Sequence, residues 1–176
     1  MCIRDRSGRD QGSQIILAFS ETNDATGNWF QYILPGNPFD DGTWSDYPMI
    51  TFTDTEFYLT MNSLRINEGW VEGFSHTLIY HFKKEEAISG RPLNMRIWTD
   101  IEFNGQSIRN VHPVKSATGE PGDNVYFLSN RNFDMQNDSI FIMEITGKND
   151  DPNTTIEIDV QLMLSLIHIS EPTRPY

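Results

Sequence analysis

Three carboxylates close to Gly42 could bind a cation. Asp40 and Asp41 directly precede this glycine, and Asp46 follows it. Carboxylate and carbonyl oxygens are the ligands that calcium prefers, so the group is a candidate calcium site. It lacks the alternating acidic spacing with which a calcium-binding loop surrounds one ion. Solvated turn residues are the alternative interpretation.

Aromatic and arginine side chains form a second set of candidate site residues. Trp44, Tyr47 and Trp70 lie near expected loop ends, where they could stack on the sugar rings of a glycan or on a protein ligand. Arg65 and Arg131 follow equivalent strands of an expected repeat and would place positive charge beside that ligand. Packing of the three aromatic rings between neighbouring sheets is the alternative interpretation.

The same arginines allow an enzymatic interpretation. A sialidase-like glycoside hydrolase needs an arginine cluster for the substrate carboxylate, a tyrosine nucleophile and a carboxylate partner. Arg65, Arg109 and Arg131 could supply the cluster, with Tyr58 as nucleophile and Glu72 as base. The chain contains no S-x-D-x-G-x-T-W turn of the sialidase type. We therefore predict no catalytic residues and retain the hydrolase as the alternative.

Short strands must position these side chains. Residues 44–62 predict a hairpin in which the turn covers residues 53–56 and Pro48 precedes the first strand, because proline cannot donate a ladder hydrogen bond. Asn104-Gly105 predicts a second tight turn. Residues 83–88 predict one short helix that ends before Gly90. Further strands are predicted at residues 12–20, 29–34, 76–82, 93–103, 107–111, 125–129, 139–145 and 155–162.

Apolar runs recur at a fixed spacing along the chain. Runs beginning at Ile15, Leu78 and Phe141 are separated by 63 positions each. A long-period repeat of short strands is typical of a propeller or a β-solenoid. Chance matches between apolar runs in a β-rich chain are the alternative explanation.

The motifs in these segments resemble those of a family of secreted bacterial β-propellers. The family carries S-x-T-x-D-x-T-G-x-W, then D-Y-P, then a strand of the form aromatic-aromatic-L/V-T-x-N. The matching residues are Ser20, Thr22, Asp24, Thr26, Gly27, Trp29, Asp46, Tyr47, Pro48, Phe57, Tyr58, Thr60 and Asn62. Ala25 stands where the family has proline, and His112 stands where an aromatic residue is expected.

The resemblance implies an all-β chain that is a fragment of a β-propeller, with about two and a half four-stranded antiparallel blades. It also implies a secreted or cell-surface bacterial protein whose remaining propeller blades lie elsewhere in a longer chain. A fragment of this kind leaves sheet faces uncovered. We therefore expect it to self-associate when salt screens its charge.

Both ends of the sequence resemble translated sequencing-library adapter. We therefore divide the chain into adapter-derived residues 1–6, a partial propeller domain at residues 7–163, and adapter-derived residues 164–176. Without the three basic and two acidic residues of these ends, the net charge changes from −12 to −13. The segment between them is expected to come from a longer gene read from environmental DNA.

Charge and cysteine content restrict the function further. A strongly acidic surface repels phosphate groups, which argues against nucleic acid and anionic membranes as partners. No apolar run reaches membrane-spanning length, so membrane insertion is not expected. Cys2, in the adapter-like end, is the sole cysteine, which excludes disulfides and thiolate metal sites. We predict a non-catalytic binding or scaffold segment whose ligand is a glycan or a protein, with no cofactor unless calcium binds.

Overall fold

The computed structural model describes residues 12–114, 124–131, 133 and 137–162. These residues form short strands and one five-residue helix, in the order β1 (Gln14–Ser20), β2 (Trp29–Pro35), β3 (Thr43–Phe52), β4 (Glu56–Arg65), β5 (Phe74–Lys83), α1 (Lys84–Ile88), β6 (Arg96–Trp98), β7 (Glu102–Phe103), β8 (Gln106–Ser107), β9 (His112–Pro113), β10 (Val125–Asn130), β11 (Ser139–Thr146) and β12 (Thr155–Leu162). The adapter-like ends lie outside the described residues.

The strands form antiparallel sheets in which sequence neighbours pair. β1 and β2 form the first hairpin, β3 to β6 form the central sheet, β9 to β12 form the distal sheet, and β7 with β8 forms a small separate hairpin. The all-β class and the two four-stranded sheets are confirmed. The strand predicted over residues 93–103 is confirmed only in part: β6 and β7 lie within it, but the chain leaves the central sheet after Trp98 and Asp100 adopts a φ of 55°.

Pro48 interrupts the pairing of β3 with β4. The register shifts between Asp46 and Met49, and Tyr47 adopts a φ of 57°. Proline has no N–H to give to the ladder, so the chain bulges around it. The strand begins at Thr43 rather than after Pro48, which corrects the predicted start.

The central sheet is buried on both faces. Phe57, Leu59 and Met61 of β4 contact the first hairpin, whereas Tyr58 contacts the distal sheet. In a strand covered on one face only, buried and exposed residues would alternate. In β4 every residue before Arg65 is buried, so both of its faces are covered. Burial of each large apolar side chain contributes about 1.5–3 kcal/mol, so the interfaces on both faces hold the sheets together.

The direction in which the core residues point corrects the predicted spacing of the repeat. Leu78 faces the first hairpin and Phe141 faces the central sheet, so both point toward the preceding sheet. Ile15 instead points toward the following sheet. A shift of one residue reverses the face of a strand, so Ile15 does not occupy the position in its sheet that Leu78 and Phe141 occupy in theirs.

The predicted helix and tight turn are confirmed. Asn104 and Gly105 have φ values of 53° and 71°, as a two-residue hairpin turn requires. Helix α1 is followed by Gly90 with a φ of 71°, where a Cβ atom would lie 2.6 Å from the ring of Phe30. Glycine therefore allows the chain to pass closely over the first hairpin.

Candidate binding surface

One end of the molecule carries most of the residues predicted to bind a ligand. β4 ends at Arg65 and β5 begins at Phe74, and Trp70 lies in the loop between them. The segment that leads into β9 reaches the same end, where Asn62 Nδ2 donates to Asn110 Oδ1 at 2.6 Å. We call this end the loop end, and it comprises residues 36–42, 66–73, 108–112, 131 and 133.

Arg109 lies at the centre of an aromatic cluster at the loop end. Its guanidinium carbon is 4.3 Å from the ring centre of Phe133, 4.7 Å from that of Phe74 and 5.9 Å from that of Trp70. Its Nη2 donates to the carbonyl of Trp70 at 2.7 Å, and its Nη1 donates to that of Val71 at 3.4 Å. One arginine thus joins the loop after β4, the segment before β9 and the loop after β10. We call Trp70, Phe74, Arg109 and Phe133 the Arg109 cluster.

Two rings of the Arg109 cluster are fixed and exposed at the same time. Trp70 and Phe133 meet edge to face, with ring centres 5.1 Å apart. Trp70 is 61% exposed and Phe133 is 40% exposed. Ring pairs and cation–π contacts contribute about 0.5–1.5 kcal/mol each, so both rings are held before any ligand arrives. Rigid aromatic surface of this kind binds partners with little loss of side-chain entropy.

The charge of Arg109 is retained within the cluster. Burial lowers the pKa of its guanidinium from the ordinary value. Arginine guanidinium groups nevertheless stay protonated in proteins at neutral pH. Its Nε is buried and has no hydrogen-bond partner in the described part of the chain. The weakly hydrated guanidinium tolerates this site because aromatic faces surround it.

Tyr47 and His112 form a second contact at the loop end. Their rings meet edge to face at 5.4 Å, and Tyr47 Oη lies 3.4 Å from His112 Nε2. Tyr47 is 44% exposed. An open cavity of about 320 Å³ lies beside His112, between the loop end and the distal sheet, and its walls include Asn110, Leu128 and Asn130. The bulge at Pro48 brings Tyr47 to this position.

The remaining predicted ligand residues have separate surroundings. Arg65 donates to the carbonyl of Glu72 at 3.2 Å and lies 3.5 Å from a carboxylate oxygen of Glu68. Arg131 donates to the carbonyl of Phe103 at 3.2 Å and lies over the ring of Phe141. Arg65 is therefore held by the loop that follows β4, and Arg131 is held by residues of β7 and β11. Trp44 is half-buried in β3.

The acidic residues near Gly42 have structural contacts. Asp41 accepts hydrogen bonds from the N–H and the hydroxyl of Thr43 at 3.2 and 2.6 Å, as in an Asx turn. Asp40 is exposed and Asp46 is half-buried beside the bulge. Among the described residues, no group of three or more His, Cys, Asp or Glu is arranged to hold a metal ion. The calcium site stays a prediction.

Tyr58 lies between the central and distal sheets. It is fully buried, and its ring stacks on His81 with the centres 4.3 Å apart. Burial raises the pKa of its hydroxyl above the ordinary value, so the phenol stays protonated. A substrate cannot reach this position. Tyr58 is therefore wrong as the nucleophile of the hydrolase interpretation.

A buried carboxylate joins the two large sheets at the opposite end of the molecule. Glu56 is 1% exposed, and its Oε2 lies 3.1 Å from His81 Nε2. The same oxygen accepts the backbone N–H of Asn149, in the turn between β11 and β12, at 3.3 Å. Trp98 Nε1 donates to His81 Nδ1 at 3.4 Å, which leaves Nε2 as the nitrogen that donates to Glu56.

Two further contacts at the surface involve the same turn whose Asn149 binds the buried Glu56. Lys83 Nζ lies 2.5 Å from Asp150 Oδ2, and Arg96 Nη2 donates to the carbonyl of Asp151 at 2.9 Å. The hydrogen bond that Lys83 donates to Asp150 is the main cause of the raised pKa of Lys83. The turn between β11 and β12 therefore fastens the distal sheet to the central sheet.

Sequence reasoning found part of the Arg109 cluster. Trp70 was predicted as a ligand residue, and Arg109 entered only as a member of a substrate-binding arginine cluster. Phe74 and Phe133 carried no signal, because they are single aromatic residues in or beside loops. Their contacts with Arg109 depend on how the two large sheets pack.

Comparison of the chain with protein-family models, with curated proteins and with solved structures found no match. Within the described residues, no helix is long and apolar enough to cross a membrane.

Proposed function

We propose that the chain is a non-catalytic binding or scaffold segment of a secreted or cell-surface bacterial β-propeller protein, with a glycan or protein ligand at the loop end. The observation that carries the binding proposal is Trp70, which is 61% exposed and is nevertheless held by Arg109 and Phe133. Large exposed aromatic rings beside a cation are enriched where proteins bind partners.

The packing of the sheets supports the propeller part of the proposal. Each large sheet is built from strands that pair in sequence order, and the central sheet is covered on both faces by neighbouring sheets. Propeller blades pack face to face in this way. The remaining blades would complete the ring, and the motif resemblance supports a secreted or surface location.

A matched pair of tryptophan variants tests the binding proposal. The wild-type chain, Trp70→Ala and Trp29→Ala are applied to a glycan array and to immobilised surface-protein extracts under identical conditions. Trp29 is the control because it lies in the first hairpin, where its Nε1 donates to the carbonyl of Ala25. We expect Trp70→Ala to lower binding at least tenfold and Trp29→Ala to leave it unchanged.

Two results would contradict the proposal. Equal binding by the wild type and Trp70→Ala would show that the Arg109 cluster is not part of the binding site. Hydrolysis of a sialoside that Arg65→Ala and Arg131→Ala both abolish would favour the glycoside hydrolase instead. Circular dichroism of each variant shows whether the fold is retained.

A further inference from the structure

The turn between β7 and β8 is an exposed Asn-Gly pair. Asn104 and Gly105 form the tip of this hairpin, and both residues are exposed. They are the single Asn-Gly pair in the sequence. A Cβ atom added at Gly105 would meet no other atom within 4 Å, so the space around the tip is open. Glycine has no side chain of its own to shield its main-chain nitrogen, which is therefore accessible.

Little holds the tip of this hairpin in one conformation. Within the described residues, neither the side-chain amide of Asn104 nor the N–H of Gly105 takes part in a hydrogen bond. The hairpin contains two residue pairs in all. A hairpin of this size is marginal in water, so it opens far more often than the large sheets do. In the open form the side chain of Asn104 can turn toward the nitrogen of Gly105.

This arrangement allows deamidation. The nitrogen of Gly105 attacks the side-chain carbonyl carbon Cγ of Asn104, and a new C–N bond closes a five-membered succinimide ring. The bond from Cγ to the side-chain nitrogen breaks, and that nitrogen leaves as ammonia with the proton of the Gly105 N–H. Water then opens the ring at either carbonyl carbon, which gives aspartate or isoaspartate. Both products carry one more negative charge than asparagine, and water is the sole co-reactant.

A comparable pair in the chain is held in place. Asp41 precedes Gly42 and could close the same ring with loss of water. However, Asp41 Oδ1 accepts hydrogen bonds from the N–H and the hydroxyl of Thr43 at 3.2 and 2.6 Å. The carbonyl of Gly42 also accepts the N–H of Ile66 at 3.2 Å. The carboxylate is thus fixed on Thr43, and the contrast identifies Asn104 as the reactive position.

Isoaspartate at the tip would disrupt the contacts of the hairpin. Its main chain runs through the side-chain carbon, which adds an atom to a turn whose φ values of 53° and 71° suit a two-residue connection. Phe103 directly precedes the turn. Its ring centre lies 5.6 Å from that of Phe141, and its carbonyl accepts a hydrogen bond from Arg131 Nη2 at 3.2 Å. Both contacts require the hairpin to be closed.

The base of the hairpin limits the extent of this change. Ile101 and Ile108 are 1% and 2% exposed, and the N–H of Ile108 donates to the carbonyl of Ile101 at 2.8 Å. The carbonyl of Ile108 accepts the hydroxyl of Thr77, in β5, at 2.7 Å. These contacts do not involve the turn, so the two large sheets keep their packing.

We propose that Asn104 is a site of spontaneous deamidation, and that isoaspartate formed there releases the β7–β8 hairpin from Arg131 and Phe141. Arg131 belongs to the loop end, so the modification frees a guanidinium group beside the proposed binding surface. The aspartate product keeps the hairpin, because Asp-Gly suits the same turn as Asn-Gly.

Peptide mapping by mass spectrometry tests the site, with the full chain sampled during incubation in warm, mildly alkaline buffer. We expect Asn104 to deamidate at least tenfold faster than Asn28 and Asn153, whose side-chain amides donate hydrogen bonds. An isoaspartyl methyltransferase assay measures the isoaspartate product. Asn104→Gly is the control, because Gly-Gly suits the turn and has no side-chain amide. Deamidation at Asn104 no faster than at the other two positions, or isoaspartate that accumulates first at Asp41, would overturn the proposal.

Amide hydrogen exchange separates the effect of isoaspartate from that of the added charge. The incubated wild type is compared with incubated Asn104→Gly and with fresh Asn104→Asp, which carries the charge on an ordinary main chain. We expect exchange in residues 102–107 to become faster in the incubated wild type alone, while exchange in β4 and β5 stays slow. Equal exchange in all three samples would overturn the release of the hairpin, as would an equal increase in fresh Asn104→Asp.

Discussion

Asn149 donates its backbone N–H to the buried carboxylate of Glu56 at 3.3 Å, across the boundary between the distal and central sheets. Its side chain donates to the carbonyl of Asn94 at 2.6 Å. Asn149 and Glu56 are 93 positions apart in sequence, so their hydrogen bond joins distant parts of the chain. It shows how a surface turn of one sheet becomes part of the interior of the next.

We predict that Asn149→Ala destabilises the fold. The exchange removes the hydrogen bond to the carbonyl of Asn94, and a bond of this kind contributes about 0.5–1.5 kcal/mol. Urea unfolding monitored by fluorescence gives the change in unfolding free energy. Asn23→Ala, in the exposed turn of the first hairpin, is the control and should change stability by less than about 0.5 kcal/mol. Equal effects of the two exchanges would show that the Asn149 contact is unimportant.

Acid should weaken the same junction. Burial raises the pKa of Glu56, but the hydrogen bonds from His81 and Asn149 outweigh burial and hold the pKa below the ordinary value. Because the folded pKa is below that of an unfolded glutamate, about 4.3, the stabilisation is present above that pH. It is lost as the pH falls through the folded pKa.

Glu56→Gln tests this pH dependence, since glutamine does not titrate. We expect the wild type to lose more unfolding free energy than Glu56→Gln between pH 6 and pH 3. Other carboxylates titrate in both chains, so the difference between the two curves isolates Glu56. Parallel curves would exclude Glu56 as a source of acid sensitivity.

Two buried tyrosines should respond differently to loss of the hydroxyl group. Tyr80 Oη donates to the carbonyl of Pro35 at 2.5 Å, whereas Tyr58 Oη has no hydrogen-bond partner in the described part of the structure. Tyr80→Phe should therefore cost about 1 kcal/mol, and Tyr58→Phe should leave stability unchanged or raise it. Thermal melts of the two variants provide the comparison. A large loss in Tyr58→Phe alone would show that its hydroxyl is satisfied in solution.

The elements that follow from local chemistry could be predicted from the sequence. Asn104-Gly105 favours positive φ at both positions, so the tight turn was predicted correctly. Pro48 was expected to precede the first strand, but it lies at a bulge within β3. The repeat of apolar runs and the motif resemblance together predicted the two four-stranded sheets. The tight turn and the short helix depend on residues close together in the chain.

Features that depend on sheet packing could not be predicted in the same way. Ile15 and Leu78 have similar apolar neighbours in sequence, and only their opposite directions in the structure show that they are not equivalent positions of a repeat. Glu56 precedes a strand in a polar turn, which predicts exposure, yet the distal sheet buries it. The contact between Arg109 and Phe133 likewise forms only when the two large sheets pack against each other.

Arg109 should hold the loop between β4 and β5 in place. Its hydrogen bonds to the carbonyls of Trp70 and Val71 and its contacts with three rings are lost in Arg109→Ala. We expect amide hydrogen exchange in residues 66–73 to become faster, while exchange in β4 stays slow. Arg109→Lys keeps the charge but not the planar guanidinium, so it should restore the protection only in part. Unchanged exchange in Arg109→Ala would show that the loop is held by other contacts.

Chemical-shift mapping of the tryptophan indole N–H groups tests the proposed binding surface most directly. The chain has four tryptophans, of which Trp70 lies in the Arg109 cluster and Trp98 lies beside the buried His81. The chain is titrated with the glycan that gives the strongest array signal. We predict a saturable shift of the Trp70 indole signal with the Trp98 signal unmoved, whereas a shift at Trp98 without one at Trp70, or no array signal for any glycan or extract, would contradict a binding site at the loop end.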